Sequence, residues 1–152
     1  MKRGTFKTRR LILREITSND YEVWFEAYVH RKTSQSKWDS GPLPPEKCSR
    51  KIFKEVMREH HRLAKADDYY CYYIFDRKSG AIVGKIDFDI FVRGTHQFAN
   101  FGYQIFNQYW GNGYGREAAK CGLSIGFKHL KLNRLEAAIN TPEKYSPVQL
   151  SI

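Results

Sequence analysis

The stretch Phe101-Gly102-Tyr103-Gln104-Ile105-Phe106-Asn107-Gln108-Tyr109-Trp110-Gly111-Asn112-Gly113-Tyr114-Gly115-Arg116-Glu117-Ala118 decides how the chain is read. Its first part carries the β-branched and aromatic residues Tyr103, Ile105 and Phe106 and reads as a strand. Gly111, Gly113 and Gly115 follow at alternate positions, and the run from Arg116 to Leu130 is helix-compatible. A glycine turn lets the backbone approach a ligand closely. The helix behind it presents free N–H groups at the positive end of its dipole. A strand, a glycine turn and a helix start in this order predict an anion site for a phosphorylated cofactor.

Outward from this stretch, strands and helices alternate. Thr8 to Glu15 has Leu11 and Leu13 on one face and Ile12 and Arg14 on the other, as in a strand. Thr17-Ser18-Asn19-Asp20 offers N-cap residues for a helix from Tyr21 to His30, with Val23/Trp24 and Ala27/Tyr28 as its apolar stripe. Residues 31–44, with Gly41, Pro42 and Pro44, read as a loop. Pro45 suits the first turn of a second helix running to about Ala66, with Ile52, Phe53, Val56, Met57 and Leu63 inward. Tyr69 to Phe75 and Ala81 to Phe91 form an antiparallel hairpin around the turn Asp76-Arg77-Lys78-Ser79-Gly80. The helix after the glycines buries Ala118, Gly122 and Ile125, and Arg134 to Asn140 is a further strand.

The order β-α-α-β-β-β-α-β joins an antiparallel meander to one crossover, which should make the strands at 99–106 and 134–140 parallel. The fold class expected is α/β (α+β), a mixed sheet with helices on both faces.

At 152 residues the chain suits one domain with a real core. Its hydrophobic content of 41% excludes a disordered class. No apolar run has transmembrane length and none near the N-terminus resembles a signal peptide, so a cytoplasmic protein without membrane contact is expected. Cys48, Cys71 and Cys121 are scattered, without zinc-type spacing, and are expected to be reduced thiols with no metal. The net charge of +10 fits an anionic cofactor, RNA, a ribosome surface or an acidic peptide. The basic residues are dispersed, and no zinc finger or RNP-type motif accompanies them. A generally basic surface is therefore expected, with no dedicated nucleic-acid site.

Taken together, these elements resemble the GNAT superfamily of N-acetyltransferases over about residues 8–146. Thr8-Arg9-Arg10-Leu11-Ile12-Leu13-Arg14 is similar to the first strand of the Rim-type ribosomal-protein N-terminal acetyltransferases. Val92-Arg93-Gly94-Thr95-His96, with Phe101-Gly102-Tyr103, resembles the ribosomal-protein alanine acetyltransferase branch. Trp110-Gly111-Asn112-Gly113-Tyr114-Gly115 falls on the superfamily's acetyl-CoA motif Q/R-x-x-G-x-G/A, with Trp110 where Gln or Arg is usual.

The resemblance implies acetyl-CoA as co-substrate, its pyrophosphate held by backbone N–H groups at Trp110, Gly111, Asn112, Gly113, Tyr114, Gly115 and Arg116. The pantetheine arm would run beside Ile105, Phe106 and Asn107, between strands that splay apart. It also implies direct attack by an uncharged amine, so Cys121 in mid-helix reads as core and not as a nucleophile. A strand N–H near Ile105 would polarise the carbonyl. Asp87, Asp89 and Glu136 are candidate bases, each also readable as solvent-facing. Tyr103 on the cofactor strand is a candidate catalytic group, and Ser146 falls on the family's serine, which protonates the thiolate or holds a water. His96 reads as a surface residue.

Beyond Asn140 the sequence departs from that pattern. Glu143 occupies the family's Asn position, and Pro147 and Val148 to Ile152 stand where a helix and two strands are expected. The expectation is a C-terminally incomplete domain, with its last helix and strands missing and the strand at 134–140 left as an open edge. A homodimer is one arrangement that would supply the missing layer. The implied function is acetyl-CoA-dependent transfer to a primary amine, foremost a protein N-terminal α-amine of the ribosomal-protein type. The alternative is a degenerate, non-catalytic CoA-binding or ribosome-associated protein. A dinucleotide oxidoreductase fits less well, because the glycine turn comes late, after an antiparallel hairpin.

Overall fold

A computed structural model describes residues 3–138 and 148–151. Strand β1 (Thr5–Lys7), too short to show in the sequence pattern, pairs antiparallel with β2 (Leu11–Arg14), placing Phe6 opposite Leu13. Leu11 and Leu13 are fully buried, as their alternation predicts. Helix α1 (Tyr21–Val29) follows a single 3-10 turn whose capping box joins Thr17 to Asp20. The helix expected from Pro45 is two elements. Pro45–Cys48 is a 3-10 turn, and Ser49, at an extended φ/ψ of −69°/161°, starts α2 (Arg50–Lys65) by accepting the Ile52 N–H at 3.2 Å.

Strands β3 (Tyr69–Asp76), β4 (Ile82–Val92) and β5 (Phe98–Ile105) form the antiparallel meander. Helix α3 (Tyr114–Ser124) leads into a wide π-type turn at Ile125–His129, then β6 (Arg134–Ala137), which is parallel to β5 as expected. The outer edge of β6 is not open. Strand β7 (Val148–Ser151) pairs antiparallel with it, setting Leu135 opposite Leu150, which corrects the expectation of a bare edge and of no strand beyond it. An unpaired β6 edge would leave a row of N–H and C=O groups without partners, and β7 satisfies them. Among the described residues the seven strands lie in chain order. The sequence reading extends this strand to Asn140, and places Glu143 and Ser146 after it; residues 139–147 lie outside the described ones.

The sheet divides two cores. On β3, Tyr70, Tyr72 and Ile74 point to the α3 side with Leu11, Leu13, Ile86, Phe88 and Phe101. Cys71, Tyr73 and Phe75 point to the other side, with Trp24 and Ala27 of α1 and Phe53 of α2. The α3 face is close because it carries no bulk: a Cβ on Gly122 would lie 2.7 Å from Phe101 Cζ and 3.2 Å from Ile86 Cδ1. Replacing Gly122 by alanine should gain up to about 1 kcal/mol of helix propensity. It should lose more, about 1–3 kcal/mol, to overpacking against the buried Phe101 ring. A net fall in the urea midpoint is expected, and a rise would show that the helix can lift off.

On α2, His60 lies over Tyr69 and Tyr73, ring centroids 5.7 and 6.3 Å away. Burial, and then the Lys85 charge, push its imidazolium down from 6.5 to about 4. Between those values the unfolded chain binds a proton that the native chain does not. The His60 contribution to stability should therefore be lost as pH falls from 6.5 through 4, and His60→Gln should flatten that part of a urea-midpoint profile.

Candidate cofactor cleft and acceptor face

Among the described residues, β5 is paired with β4 along its whole length but with β6 only at Phe98–Arg134, Ala99–Leu135 and Asn100–Glu136. Beyond Asn100 the two strands part. The Phe106 N–H donates to the Val83 carbonyl at 2.9 Å, so Gly84–Ile105 and Ile86–Tyr103 are non-hydrogen-bonded pairs. The N–H groups of Tyr103 and Ile105 therefore face away from β4, into the gap. The gap opens on a cleft of about 450 Å³ bounded by Tyr103, Ile105, Trp110 and the glycine turn through Gly115. Of the trio expected beside a pantetheine arm, Ile105 lines this cleft, whereas Phe106 and Asn107 are buried behind it. Asn107 is a strut. Its amide accepts the Lys32 N–H at 2.7 Å and donates to the Lys32 carbonyl and Asp39 carboxylate, tying the loop that carries Trp38 to the end of β5.

Gly111 and Gly113 have φ of +83° and +77°, and Gly113 starts α3 with no side-chain cap, so the first-turn N–H groups have no capping oxygen. Gly115 packs on the cleft floor, where its Cβ would meet Ile105 Cγ1 at 3.6 Å and Tyr103 Cε2 at 3.7 Å. Arg116 is exposed at the helix start. Trp110 Nε1 donates to the Ile105 carbonyl at 2.7 Å, folding the turn back onto the strand.

The turn is held by side chains from distant parts of the chain. Arg10 Nε donates to Glu117 Oε1 at 3.0 Å, its Nη1 donates to the Asn112 carbonyl at 2.8 Å, and its guanidinium stacks on Tyr114. Thr8 Oγ1 donates to Glu117 Oε2 at 2.7 Å. Burial pushes the Glu117 carboxyl up, but these hydrogen bonds hold it below the usual carboxylate range. On the other side, Tyr114 Oη donates to Asp76 Oδ2 at 2.6 Å. Arg10 stands in the N-terminal signature, but its work is not legible there, because its partner lies 107 residues away.

The candidate bases share the face opposite α3. Lys85, Asp87 and Asp89 stand opposite Gln104, Gly102 and Asn100, and Asn100 stands opposite Glu136. Asp89 is exposed, Asp87 and Glu136 are half-buried, and Arg134 Nη2 lies 3.8 Å from Glu136 Oε2. His96 is exposed. Arg93 beside it is a structural staple, bonded to Asp67 at 2.7 and 2.8 Å and to the Leu130 carbonyl at 2.7 Å. Cys121 is half-buried against the core, and burial pushes its thiol up. Among the described residues no His, Cys, Asp and Glu group is arranged to hold a metal, and no helix is long and apolar enough to cross a membrane.

A strand pair that parts beside a glycine turn on a helix N-terminus suits an extended ligand with an anionic end. Residues 10–146 match the acetyltransferase (GNAT) domain family, and the chain belongs to it. It is 27% identical over 142 residues to the uncharacterized N-acetyltransferase YoaA of Bacillus subtilis, an alignment covering 92% of this chain and 76% of that protein. Its fold is similar to that of the ribosomal-protein-S5-alanine acetyltransferase of Vibrio fischeri (TM-score 0.67, 18% identity, 88% of this chain and 73% of that one). It is similar also to Mycobacterium smegmatis RimJ in complex with CoA-disulfide (TM-score 0.68, 19% identity, 88% and 63%). The chain is thus an acetyltransferase of the GNAT type.

Arg10→Ala would leave the half-buried Glu117 without its cation and release the Asn112 carbonyl. Charged hydrogen bonds of this kind are worth about 1.5–3 kcal/mol. Urea unfolding should show a loss of that order, and calorimetric titration with acetyl-CoA should show weaker binding, because the turn is no longer preset.

Proposed function

We propose that the chain transfers the acetyl group of acetyl-CoA to a primary amine, and that the amine is the N-terminal α-amine of a protein of the ribosomal type. The observation that carries the first part is the outer edge of β5, unpaired beyond Asn100 among the described residues, which runs directly into a preset glycine turn at the start of α3. The second part is supported by the Rim-like N-terminal signature and the fold shared with the alanine acetyltransferase. The charge of +10 suits a partner embedded in nucleic acid, and ribosomes would place the reaction in the cytoplasm.

The residues fit the co-substrate. The cleft is within the usual range of ligand pockets, and the positive φ at Gly111 and Gly113 turns the backbone around an anion. In this reading Trp110, Gly111, Asn112, Gly113, Tyr114, Gly115 and Arg116 hold the pyrophosphate, and Arg116 adds a full charge. Bound acetyl-CoA supplies the thioester. The N–H of Tyr103 or Ile105 aims at its carbonyl oxygen, where negative charge develops on attack. The Tyr103 phenol, more than half exposed along the cleft, gives a proton to the departing thiolate, and Ser146 is the second proposed donor. Phe106 and Asn107 hold the strand end from behind. One of the three carboxylates on the face opposite α3, Asp87, Asp89 or Glu136, receives the amine proton.

The test is a thermal melt with acetyl-CoA at about 100 times its dissociation constant, which should stabilise the chain by roughly 2.7 kcal/mol and raise Tm by about 5–10 °C. Gly113→Val forces a β-branched residue to φ +77° and should abolish most of that rise. A wild-type Tm that acetyl-CoA leaves unmoved would overturn the proposal. Binding without acetylation of any amine would favour the non-catalytic reading.

A further inference from the structure

Asp87 and Gly102 are cross-strand partners on β4 and β5, and the second makes room for the first. A Cβ built on Gly102 would lie 2.6 Å from Asp87 Oδ1 and 3.4 Å from its Cγ. The carboxylate therefore does not stand upright on β4. It leans across β5 into the place a side chain would fill. Gly102 lies two residues beyond Asn100, the last β5 residue paired with β6, so the carboxylate rests where the two strands begin to part. It does so on the face opposite α3, leaving the α3 side to the glycine turn.

The other two carboxylates lack this placement. Asp89 is exposed and stands opposite Asn100, over the paired part of the sheet. Glu136 is in the same row, with Arg134 beside it at 3.8 Å. The groups around Asp87 are Lys85 and Asp89 on its own strand, Tyr69 and Cys71 on β3, and Asn100 and Gln104 on β5, with His60 of α2 beyond Lys85. Burial pushes the Asp87 carboxyl up, the Lys85 charge holds it back, and the Asp89 charge adds to the rise. A carboxylate raised from its ordinary range is a better proton acceptor near neutral pH.

We infer that Asp87 is the catalytic base that takes a proton from the acceptor's ammonium group, and that Gly102 is the notch that seats it beside the thioester. This rests on the acetyl-transfer reading. The ammonium gives one proton to the Asp87 carboxylate. The freed nitrogen lone pair attacks the thioester carbonyl carbon, a C–N bond forms and the C–S bond breaks. The departing sulfur takes the Tyr103 proton, the second nitrogen proton, lost as the amide forms, restores the Tyr103 phenol, and Asp87 returns the first to solvent. The same carboxylate gives a strongly basic protein a local negative charge with which to receive a cationic amine.

The experiment measures thiol release from acetyl-CoA with synthetic peptides bearing N-terminal alanine or serine, across pH, in the wild type and in Asp87→Asn, Gly102→Ala and Glu136→Gln. Asp87→Asn should lower kcat about 100-fold, remove the acid limb of the rate profile and leave acetyl-CoA affinity unchanged by calorimetry. Gly102→Ala keeps the carboxylate but displaces it, so it should lower kcat and shift that limb, and it carries the test if Asp87→Asn does not fold. Glu136→Gln should keep the limb. A wild-type limb and kcat in both Asp87→Asn and Gly102→Ala, or a limb lost only in Glu136→Gln, would overturn the assignment alone. A wild-type chain that binds acetyl-CoA yet acetylates neither peptide would overturn the peptide-acceptor reading and the assignment with it.

Discussion

A strand with one satisfied edge and one half-satisfied edge organises this protein. β5 is fully bonded to β4, but β6 leaves it after Asn100. Backbone donors that point into a cleft and find no protein partner are costly unless water or a ligand takes them. The structure turns the N–H groups of Tyr103 and Ile105 away from β4, toward that cleft, and places the glycine turn directly after them. The strand edge and the helix N-terminus thereby line one cleft, suited to an extended ligand with an anionic end.

Keeping that surface open requires rigidity elsewhere. The N-terminal hairpin reaches across through Arg10 and Thr8 to clasp Glu117 and the Asn112 carbonyl, while Asp76 of the β3–β4 turn holds Tyr114. Asn107 fixes the loop after α1 to the end of β5. Each is a polar contact from a remote segment, and none lies in the gap itself. The two apolar cores do the rest. The small residues of α3 let that helix lie close to Phe101, and the aromatic rings under α1 and α2 support the opposite face. What remains on that opposite face near the gap is polar: Lys85, Asp87, Asp89, Asn100 and Glu136. In the proposed reading one face of the sheet serves the acyl carrier and the other receives the acceptor.

Much of the architecture was legible in the sequence because it rests on local rules. Alternation in Leu11-Ile12-Leu13 and in the tyrosine-rich β3 marks strands that face a core, and the glycine spacing marks the turn. Short elements were less legible. β1 has only three residues and no apolar periodicity, and the break at Ser49 appears only once its backbone is seen to be extended. The edge of β6 was misread because the pattern beyond Asn140 departs from the family, yet Val148–Ser151 pairs there.

By itself, then, the sequence determined the order of strands and helices, the phosphate-type turn and the family, all of which depend on residues near one another in the chain. The tertiary structure decided which strand edges stay unpaired, that Arg10 braces a turn 102 residues away at Asn112, and which carboxylate lies beside the gap. Spacing alone could not separate Asp87, Asp89 and Glu136, since all three sit on strands with the same outward parity. Their difference lies across the sheet: Asp87 faces a glycine where β5 and β6 diverge, and only cross-strand register brings that vacancy and that carboxylate together.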